Sequence, residues 1–343
     1  MARNAGMAEA RGECLCFLDA DDRFETDFLE RMCDLRRKTG ADVCVCNAEA
    51  FDLDPAEKRP YPAALDKRFV PAANPFDPAS EEACGTVLQM TNGVPWNKLF
   101  RTAFVRETGL AFQPLRTTND AFFVYSALCR AKKIATLDRV LVHRRTGIGN
   151  SLTRTRDLSW RCFYEALLAI RAELERCGIY GRFERTFANR ALKNVLWNMD
   201  TVSPACAEEI VSLMKREGFA RLGIDGHDAA YFHDGRLHER YECLRGSDAG
   251  AVRTVLKAWR EVDALSLGTR KLERAVARDA KRIASLKEAV ARRDGKTASL
   301  QKEAERLRRA NRLLRSSRAY RLGNALLAIP RFLLRPFRRA KKT

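Results

Sequence analysis

The chain has 343 residues, of which 46% are hydrophobic and 31% charged, and its formal net charge at pH 7 is +19. This length exceeds the usual single hydrophobic core, so we expect one globular domain with appended elements. The N-terminus lacks the apolar segment of a signal peptide, and no stretch has the roughly 18 to 20 apolar residues of a transmembrane helix. These features argue against secretion and against a membrane span.

The positive charge is concentrated at the C-terminal end of the chain. Residues 268–343 contain 24 lysines and arginines but only 6 acidic residues. The rest of the chain is therefore close to neutral, and the basic character belongs to the tail.

The first predicted strand ends in a group of carboxylates. The apolar run Leu15–Leu18 is followed by Asp19, Asp21 and Asp22. In an extended chain Asp19 and Asp21 would face the same side, at the carboxyl end of a buried strand, where open α/β sheets bind ligands. A hard divalent cation such as Mg²⁺ or Mn²⁺ would relieve the repulsion between these acids and leave positions for water and substrate phosphates. The alternative is a polar turn, since Asp is common in turns.

Eleven cysteines are scattered along the chain rather than spaced as a disulfide framework. Cys14 and Cys16, like Cys44 and Cys46, have strand spacing, so both members of each pair would face the same side. This pattern favours small apolar core residues in a reducing compartment over zinc ligands, because the pairs lack the usual gap of a zinc site.

A series of short motifs surrounds the first strand and continues beyond it. Arg3-Asn4-Ala5-Gly6 and an Ala-x-Gly-Glu segment precede the strand, and Asp-x-Asp-Asp ends it. The later motifs are Trp96–Arg101, Thr118–Asp120 and Val142–Arg145. In this order and spacing, the series resembles the family 2 glycosyltransferases of the GT-A fold, over roughly the first 155 residues. The resemblance implies an α/β, Rossmann-like domain at residues 1–155.

The resemblance also implies roles for individual residues. It assigns a divalent metal, Mn²⁺ or Mg²⁺, to Asp19, Asp21, Asp22 and His143. It assigns donor binding to Arg3, Asn4, Gly6 and Arg145, acceptor binding to Trp96 and Lys98, and the catalytic base to Asp120.

Structural interpretations of four of these residues remain open. Trp96 offers a flat face for a sugar ring, but it could equally be a core residue, with Lys98 on the surface. Asp120 would lie in the first turn of a helix, where the helix dipole stabilises any carboxylate. A single histidine such as His143 is often a structural hydrogen-bonding group.

The implied reaction is inverting sugar transfer from a nucleotide sugar, expected to be a UDP-sugar, to a cell-surface glycan or lipid-linked acceptor. A carboxylate within hydrogen-bond reach of the acceptor hydroxyl would remove its proton. A cation on the other side of the sugar would neutralise charge on the departing diphosphate.

The chain starts late relative to the resembled family. That family has a β-α-β-α-β portion before the Arg-Asn-x-Gly segment, which would amount to roughly 60 to 90 residues at about 30 or more per βαβ unit. We expect a true start upstream; the alternatives are a fragment or a degenerate relative.

The following elements are predicted from periodicity and breakers. We expect a helix over Glu25–Thr39 with Thr26 as N-cap and Gly40 as its stop, and then a strand over Ala41–Asn47. Phe51–Pro78 is rich in Pro, Asp and Lys, which predicts an irregular surface loop. Residues 156–266 form a predicted helical accessory region, with apolar residues at spacings of three and four from Leu158 to Ala220.

A coiled coil is predicted at residues 268–315. Leu272, Leu286, Leu300, Leu307 and Leu314 occupy d positions, with apolar residues at most of the intervening a positions, in an unbroken register of about six heptads. The register predicts a homodimer, and Asn311 at an a position is a known device for fixing parallel pairing. The alternative is a single basic helix lying on the globular domain.

The final segment, residues 316–343, mixes leucines and phenylalanines with eight basic residues and no acid. This composition predicts a basic amphipathic tail on an anionic membrane surface, and hence a cytoplasmic protein at the inner face of the membrane. Nucleic acid is the rival partner for such charge, but no nucleic-acid motif occurs in the globular part, so we expect none.

Three functions therefore remain under consideration. The first is a metal-dependent inverting glycosyltransferase. The second is a catalytically inactive remnant that acts as a membrane-associated coiled-coil scaffold. The third is a basic coiled-coil protein that binds nucleic acid.

Overall fold

A computed structural model of the chain describes residues 2–52, 58–146, 152–247 and 251–333. The β-strands of these residues are β1 Cys14–Cys16, β2 Arg23–Phe24, β3 Val43–Phe51, β4 Lys58–Pro60, β5 Lys98–Arg101 and β6 Ile134–Arg145. The α-helices are α1 Ala2–Glu9, α2 Phe28–Thr39, α3 Glu81–Cys84, α4 Thr102–Thr108, α5 Asn119–Arg130, α6 Cys162–Arg176, α7 Tyr180–Thr201, α8 Pro204–Leu213, α9 Phe219–Arg221, α10 Gly235–Gly246, α11 Ala251–Ser316 and α12 Arg318–Leu333.

The strands form one mixed sheet in the order β1-β5-β3-β6-β2, and β4 pairs with β3. β3 and β6 are parallel, whereas the other pairs are antiparallel. This mixed sheet with helices packed on it confirms the predicted α/β class.

Alternation along β3 divides the core into two layers, one on each face of the sheet. Val43 and Val45 belong to a large cluster with helices α5 to α8, and Cys44 and Cys46 belong to a smaller cluster beneath α2. The cysteines are therefore apolar core residues on one face, as their strand spacing predicts.

The structure differs from the prediction at the start of α2. The helix begins at Phe28, and Asp27 rather than Thr26 occupies the N-cap position. The reason is that the chain up to Glu25 remains bound to β6, where the Glu25 N–H donates to the Leu141 carbonyl at 3.0 Å. The predicted end is confirmed, since Gly40 adopts a left-handed conformation with φ of 65°.

The predicted loop Phe51–Pro78 contains more regular structure than expected. β4 continues the sheet beside β3, and Lys67–Phe69 forms a 3₁₀ turn. The N–H of Phe76 donates to the Ile134 carbonyl at 2.9 Å, which ties the end of the loop to β6. Residues 53–57 of this loop lie outside the described residues.

The helical region after β6 packs on the sheet domain. Phe163, Leu167, Leu192 and Val195 are buried in the larger cluster, as their spacing predicts. The chain divides into two compact units, Met1–Arg260 and Glu261–Thr343. The sheet and the helical accessory region thus share one unit, and the expected division at residue 155 lies inside it.

The predicted coiled coil falls within α11, a helix of 66 residues. The predicted tail begins as α12, and its last residues, 334–343, lie outside the described part of the chain. Among the described helices, none combines the length and the apolarity that crossing a membrane requires.

Candidate functional site

β1 carries the chain from the core to the surface at the predicted group of acids. Leu15 and Phe17 are buried, whereas Leu18 is 48% exposed. The N–H of Asp22 donates to the carbonyl of Asp19 at 3.2 Å, which closes a turn directly after the strand. β1 is an edge strand that ends at Cys16, earlier than the sequence predicts, and the acids lie in the turn that follows it.

Arg3 links the first of these acids to the start of α5. Its Nη2 donates to Oδ1 of Asp19 at 2.8 Å, and its Nη1 donates to Oδ1 of Asp120 at 2.5 Å. These three residues come from α1, from the turn after β1 and from the first turn of α5. A single guanidinium thus brings together the predicted donor-binding, metal-binding and catalytic positions.

α1 is fixed against α5 through Phe112. The amide of Asn4 donates to the Phe112 carbonyl at 2.8 Å and accepts from the Phe112 N–H at 2.8 Å. The Phe112 ring stacks on Phe123 of α5 at 4.3 Å and lies 5.4 Å from the Arg3 guanidinium. These contacts hold Arg3 beside the residue that it binds on α5.

Asp120 lies in an environment that disfavours its charge. Burial raises the pKa of this carboxyl to about 6, and this effect outweighs the opposing pull of the Arg3 guanidinium. The residue two positions earlier, Thr118, has a left-handed backbone with φ of 60°, which is rare for a β-branched residue. The strained turn and the burial together set Asp120 apart from an ordinary solvent-exposed helix cap.

Asp22 faces the end of β6. Its Oδ1 accepts from the backbone N–H of Arg145 at 2.9 Å. Burial, followed by the like charges of Asp21 and Asp19, raises the pKa of Asp22 to about 6. This repulsion is the electrostatic situation that a bound cation would relieve.

The question for this group of acids is whether a cation could bind them and fill its other coordination positions with water and substrate oxygens. Within residues 2–52, 58–146, 152–247 and 251–333, no three His, Cys, Asp or Glu side chains gather closely enough to hold a metal ion. Mg²⁺ usually takes only one or two carboxylates and completes its shell with water and phosphate oxygens. A metal site that uses Asp19 and Asp21 in this way stays a prediction.

Comparison with known proteins identifies the same family as the motifs. Residues 1–109 match Glycosyl transferase family 2. This match lies within the part of the chain in which the motifs resemble that family. The chain is also 30% identical over 158 residues to EpsH of Bacillus subtilis (strain 168), which is named as a glycosyltransferase. That match covers 44% of this chain and 43% of EpsH, so the chain spans less than half the length of this curated relative.

Solved structures similar to the chain include those of TarS from S. aureus. The crystal structure of TarS 1-349 in complex with UDP-GlcNAc has a TM-score of 0.42 and 16% sequence identity, with 70% of each chain covered. Another TarS crystal structure has a TM-score of 0.40 and 17% identity, and the match covers 70% of this chain and 42% of that one. The family 2 match ends at residue 109, so it does not include Asp120.

His143 is held by carboxylates rather than directed to Asp19. Its Nε2 lies 2.6 Å from Oε1 of Glu25, and its Nδ1 lies 3.7 Å from Oε2 of Glu49. The side chain is buried between β2 and β3, its neighbours in the sheet. These contacts agree with the structural interpretation of His143, and a role in metal binding stays a prediction.

The two predicted acceptor residues are both buried. Trp96 is 2% exposed and packs in the cluster beneath α2, with its ring 5.9 Å from that of Tyr61. Lys98 is completely buried, and its Nζ lies within 3.1 Å of four oxygens in Thr91, Asn92, Val94 and Asn97. Burial lowers the pKa of Lys98 to about 7, while these four acceptors favour its protonated form. Trp96 thus fits the core interpretation, and Lys98 holds together the turn before β5.

The remaining predicted donor residues lie near the acids without forming one cluster. Arg145 meets Asp22 through its backbone, as described above. Gly6 is exposed on α1, and an added Cβ there would meet no atom within 4 Å. No contact in the described residues therefore requires glycine at this position.

The contacts of two arginines, Arg144 near Asp22 and Arg156 near Arg144, were not predicted from the sequence. The Arg144 guanidinium donates to the Tyr61 hydroxyl at 2.8 Å, and Arg156 stacks on the ring of Trp197 at 3.6 Å. Each aromatic partner is more than 40 residues away in the chain, so no local pattern could have found these contacts. The only available signal was the lack of any acid between Arg145 and Arg156.

Proposed function

We propose that this chain is the catalytic part of a glycosyltransferase that moves a sugar from a nucleotide-sugar donor to a hydroxyl of a glycan or lipid-linked acceptor. The observation that carries the proposal is the double ion pair of Arg3 with Asp19 and Asp120. It joins two carboxylates of different expected roles in one site. The family 2 match over residues 1–109 supports the same reaction class.

In the proposed reaction Asp120 acts as the general base. Its pKa of about 6 leaves it ionised at neutral pH, yet basic enough to accept the proton of the acceptor hydroxyl. The acceptor oxygen attacks the anomeric carbon from the side opposite the leaving diphosphate, so the configuration at that carbon is inverted. Arg3 holds the Asp120 carboxylate in position before the acceptor arrives.

Asp19 and Asp21, with Asp22 beside them, are the groups that would hold Mn²⁺ or Mg²⁺ together with the donor. When bound, such a cation supplies positive charge where the diphosphate departs. Asp22 is oriented for this role by the backbone N–H of Arg145. The Arg3 and Arg145 side chains add positive charge that suits a nucleoside diphosphate, for which we propose UDP.

The test is nucleotide release by the full chain. The purified protein is incubated with Mn²⁺, a lipid extract of its own cells, and UDP-glucose, UDP-galactose or UDP-N-acetylglucosamine in turn. We expect release with one donor, at least 100-fold less release by Asp120→Asn, and an unchanged rate for Glu9→Gln, an exposed acid on α1. Full activity of Asp120→Asn would overturn the assignment of the base.

A chain that releases no nucleotide and does not bind UDP would contradict the proposed function as a whole. That result would favour the alternative of an inactive scaffold. Circular dichroism spectra of Asp120→Asn and of Glu9→Gln that match the parent chain would exclude misfolding as the cause of any loss.

We also propose that α12 tethers the enzyme to the inner face of the membrane, where a lipid-linked acceptor would lie. Tyr320 and Leu322 are exposed on this helix, next to the cations Arg318 and Arg321. Apolar side chains next to basic ones suit an anionic lipid surface. The proposed partners further include a second copy of the chain, bound through residues 268–315.

The tether is tested by sedimentation with vesicles. We expect binding to phosphatidylglycerol vesicles but not to phosphatidylcholine vesicles, and loss of binding in Arg318→Glu/Arg321→Glu. The matched control is Lys38→Glu/Lys132→Glu, which makes the same charge change at two exposed positions of the globular unit. Binding to RNA with no binding to anionic vesicles would contradict the tether and favour a nucleic-acid partner.

A further inference from the structure

α11 carries a long row of apolar side chains that are exposed to solvent. Ten large apolar residues between positions 262 and 314 are 47% to 72% exposed. They are Val262, Leu265, Leu272, Val276, Ile283, Leu286, Val290, Leu300, Leu307 and Leu314. We call this row the α11 stripe. It is about 80 Å long at 1.5 Å per residue.

The members of the α11 stripe follow one heptad register without a break. All ten occupy a or d positions, and among the exposed large apolar residues of this span only Leu313 lies elsewhere. A shallow groove near the middle of the stripe is lined by Ile283, Leu286 and Val290, with Lys287, Ala291 and Asp294 beside them. Rows of this kind at a period of 3.5 residues are typical of helices that pair along their whole length.

We propose that a second copy of this chain packs along the α11 stripe in the antiparallel direction, with Val262 of one copy opposite Leu314 of the other. In this alignment the two stripes overlap over their full length, and three pairs of stripe residues face each other: Val262 with Leu314, Val276 with Leu300, and Leu286 with Val290. The other four stripe residues, Leu265, Leu272, Ile283 and Leu307, face Asn311, Ala304, Arg293 and Thr269. The centre of the alignment lies at residue 288, where Leu286 of each copy meets Val290 of the other. The inference concerns assembly and does not depend on whether the globular unit transfers sugar.

The charged residues within the stripe distinguish a second copy from a membrane as its occupant. Asp279 and Arg293 both occupy d positions and are exposed. A bilayer would have to remove both charges from water without providing a partner, which is costly. A second copy provides each charge with an opposite one, because the same two residues recur on it.

The direction follows from which residues would meet. Parallel pairing in register would place Asp279 against Asp279 and Arg293 against Arg293, so that two layers would hold like charges. In the antiparallel alignment Asp279 lies opposite Thr297 and one layer from Arg293 of the second copy. Asn311 favours the parallel direction, where the asparagines of the two copies can form a hydrogen bond. This is one favourable layer, whereas parallel pairing also creates two layers of like charge.

Light scattering of the full chain tests whether a second copy binds. We expect twice the mass of the 38.9 kDa chain at micromolar concentration. Leu286→Asp/Val290→Asp should give the monomer mass, since it places four new charges at the centre of the pair. Ala284→Asp/Ala298→Asp makes the same change at two exposed b positions off the stripe and should remain dimeric. A monomeric parent chain, or a dimer unaffected by Leu286→Asp/Val290→Asp, would overturn the proposal.

Disulfide trapping tests the direction of pairing. Val276 lies opposite Leu300 in the antiparallel alignment, so Val276→Cys and Leu300→Cys chains should form disulfide dimers only after the two are mixed and allowed to exchange. In parallel pairing each variant would form disulfide dimers alone, and that outcome would overturn the antiparallel arrangement. The parent chain, with its eleven native cysteines, provides the background under the same oxidant.

Discussion

The candidate site of the globular unit and the long helix hold their charges in different ways. In the globular unit Arg3 pairs with acids that lie 16 and 117 residues away in the chain. Along α11 an ion pair of the described side chains joins neighbours, Arg293 and Asp294, at 3.8 Å, and both remain exposed. A cation that joins distant, partly buried acids organises a site, whereas the local pair on α11 leaves this face of a single copy open for the second copy proposed above. The predictions below test this contrast, from the largest expected effect to the smallest.

The largest effect is expected where two distant acids meet one cation. Arg3→Ala should lower the rate of nucleotide-sugar turnover by about 100-fold or more, because Asp120 and Asp19 lose their shared partner and the base loses its orientation. Steady-state kinetics should show the loss mainly in kcat. Arg3→Lys should restore little activity, since an ammonium cannot bridge two carboxylates as a planar guanidinium does. If Arg3→Ala had the same kcat as the parent, the contact of Arg3 with the two distant acids would not matter for turnover.

The second effect concerns stability of the globular unit. Lys98→Met should lower the free energy of unfolding by about 3 kcal/mol, because four buried oxygens lose their common donor. Urea denaturation measures the change. Lys38→Met, on the exposed surface of α2, is the matched control and should change stability by less than about 0.5 kcal/mol. Equal stability of Lys98→Met and the parent would mean that the buried ammonium contributes nothing to the turn.

The third prediction concerns pH. Because the folded pKa of Asp120, about 6, lies above that of an ordinary Asp, the folded state binds more protons than the unfolded state between about pH 4 and 6. This residue's contribution to stability should therefore fall as pH rises through that window, whereas activity should rise through an apparent pKa near 6. The unfolding free energy of the parent minus that of Asp120→Asn, measured at pH 4, 5 and 7, should decrease as the pH rises. A difference that is constant over this range would show that the carboxyl titrates normally.

The smallest effect is expected on the helix surface. Arg292 lies at a c position of α11, off the stripe, and is exposed. Arg292→Ala should change stability by less than about 0.5 kcal/mol and leave the oligomeric mass unchanged. Thermal unfolding followed by circular dichroism measures this, and a large loss would show that charges on this helix are not simply solvated.

Much of the molecule could be predicted from local patterns. The apolar run Leu15–Leu18 predicted a strand followed by acids, and Gly40 predicted the stop of α2. The alternation of β3 predicted two core faces. The a and d positions of α11 are exposed in one register, although the pairing itself remains a prediction. In each case the physical cause acts within a few residues, so the sequence carries it directly.

Other features depend on contacts between distant segments and could not be predicted in this way. The four oxygens around Lys98 belong to residues 91–97, but this turn is buried because Thr91 and Asn97 bind the distant carbonyls of Ala64 and Cys46. Nothing near His143 indicates that it would form a hydrogen bond with Glu25. The expected roles of Arg3 and Asp120 came from the resemblance to family 2, and only the fold shows that one guanidinium joins them. Local sequence records periodicity, whereas such partners are fixed by the sheet register and by packing.

The most direct test of the account is calorimetric titration of UDP into the full chain in the presence of Mn²⁺. We predict binding that requires the cation, is weakened at least tenfold in Asp19→Asn, and is unchanged in Asp120→Asn and in Glu9→Gln. That pattern would separate the donor side of the site from the base. If the parent chain binds no UDP, or if Asp19→Asn binds it as tightly as the parent, the carboxylates that Arg3 joins are not a nucleotide-sugar site.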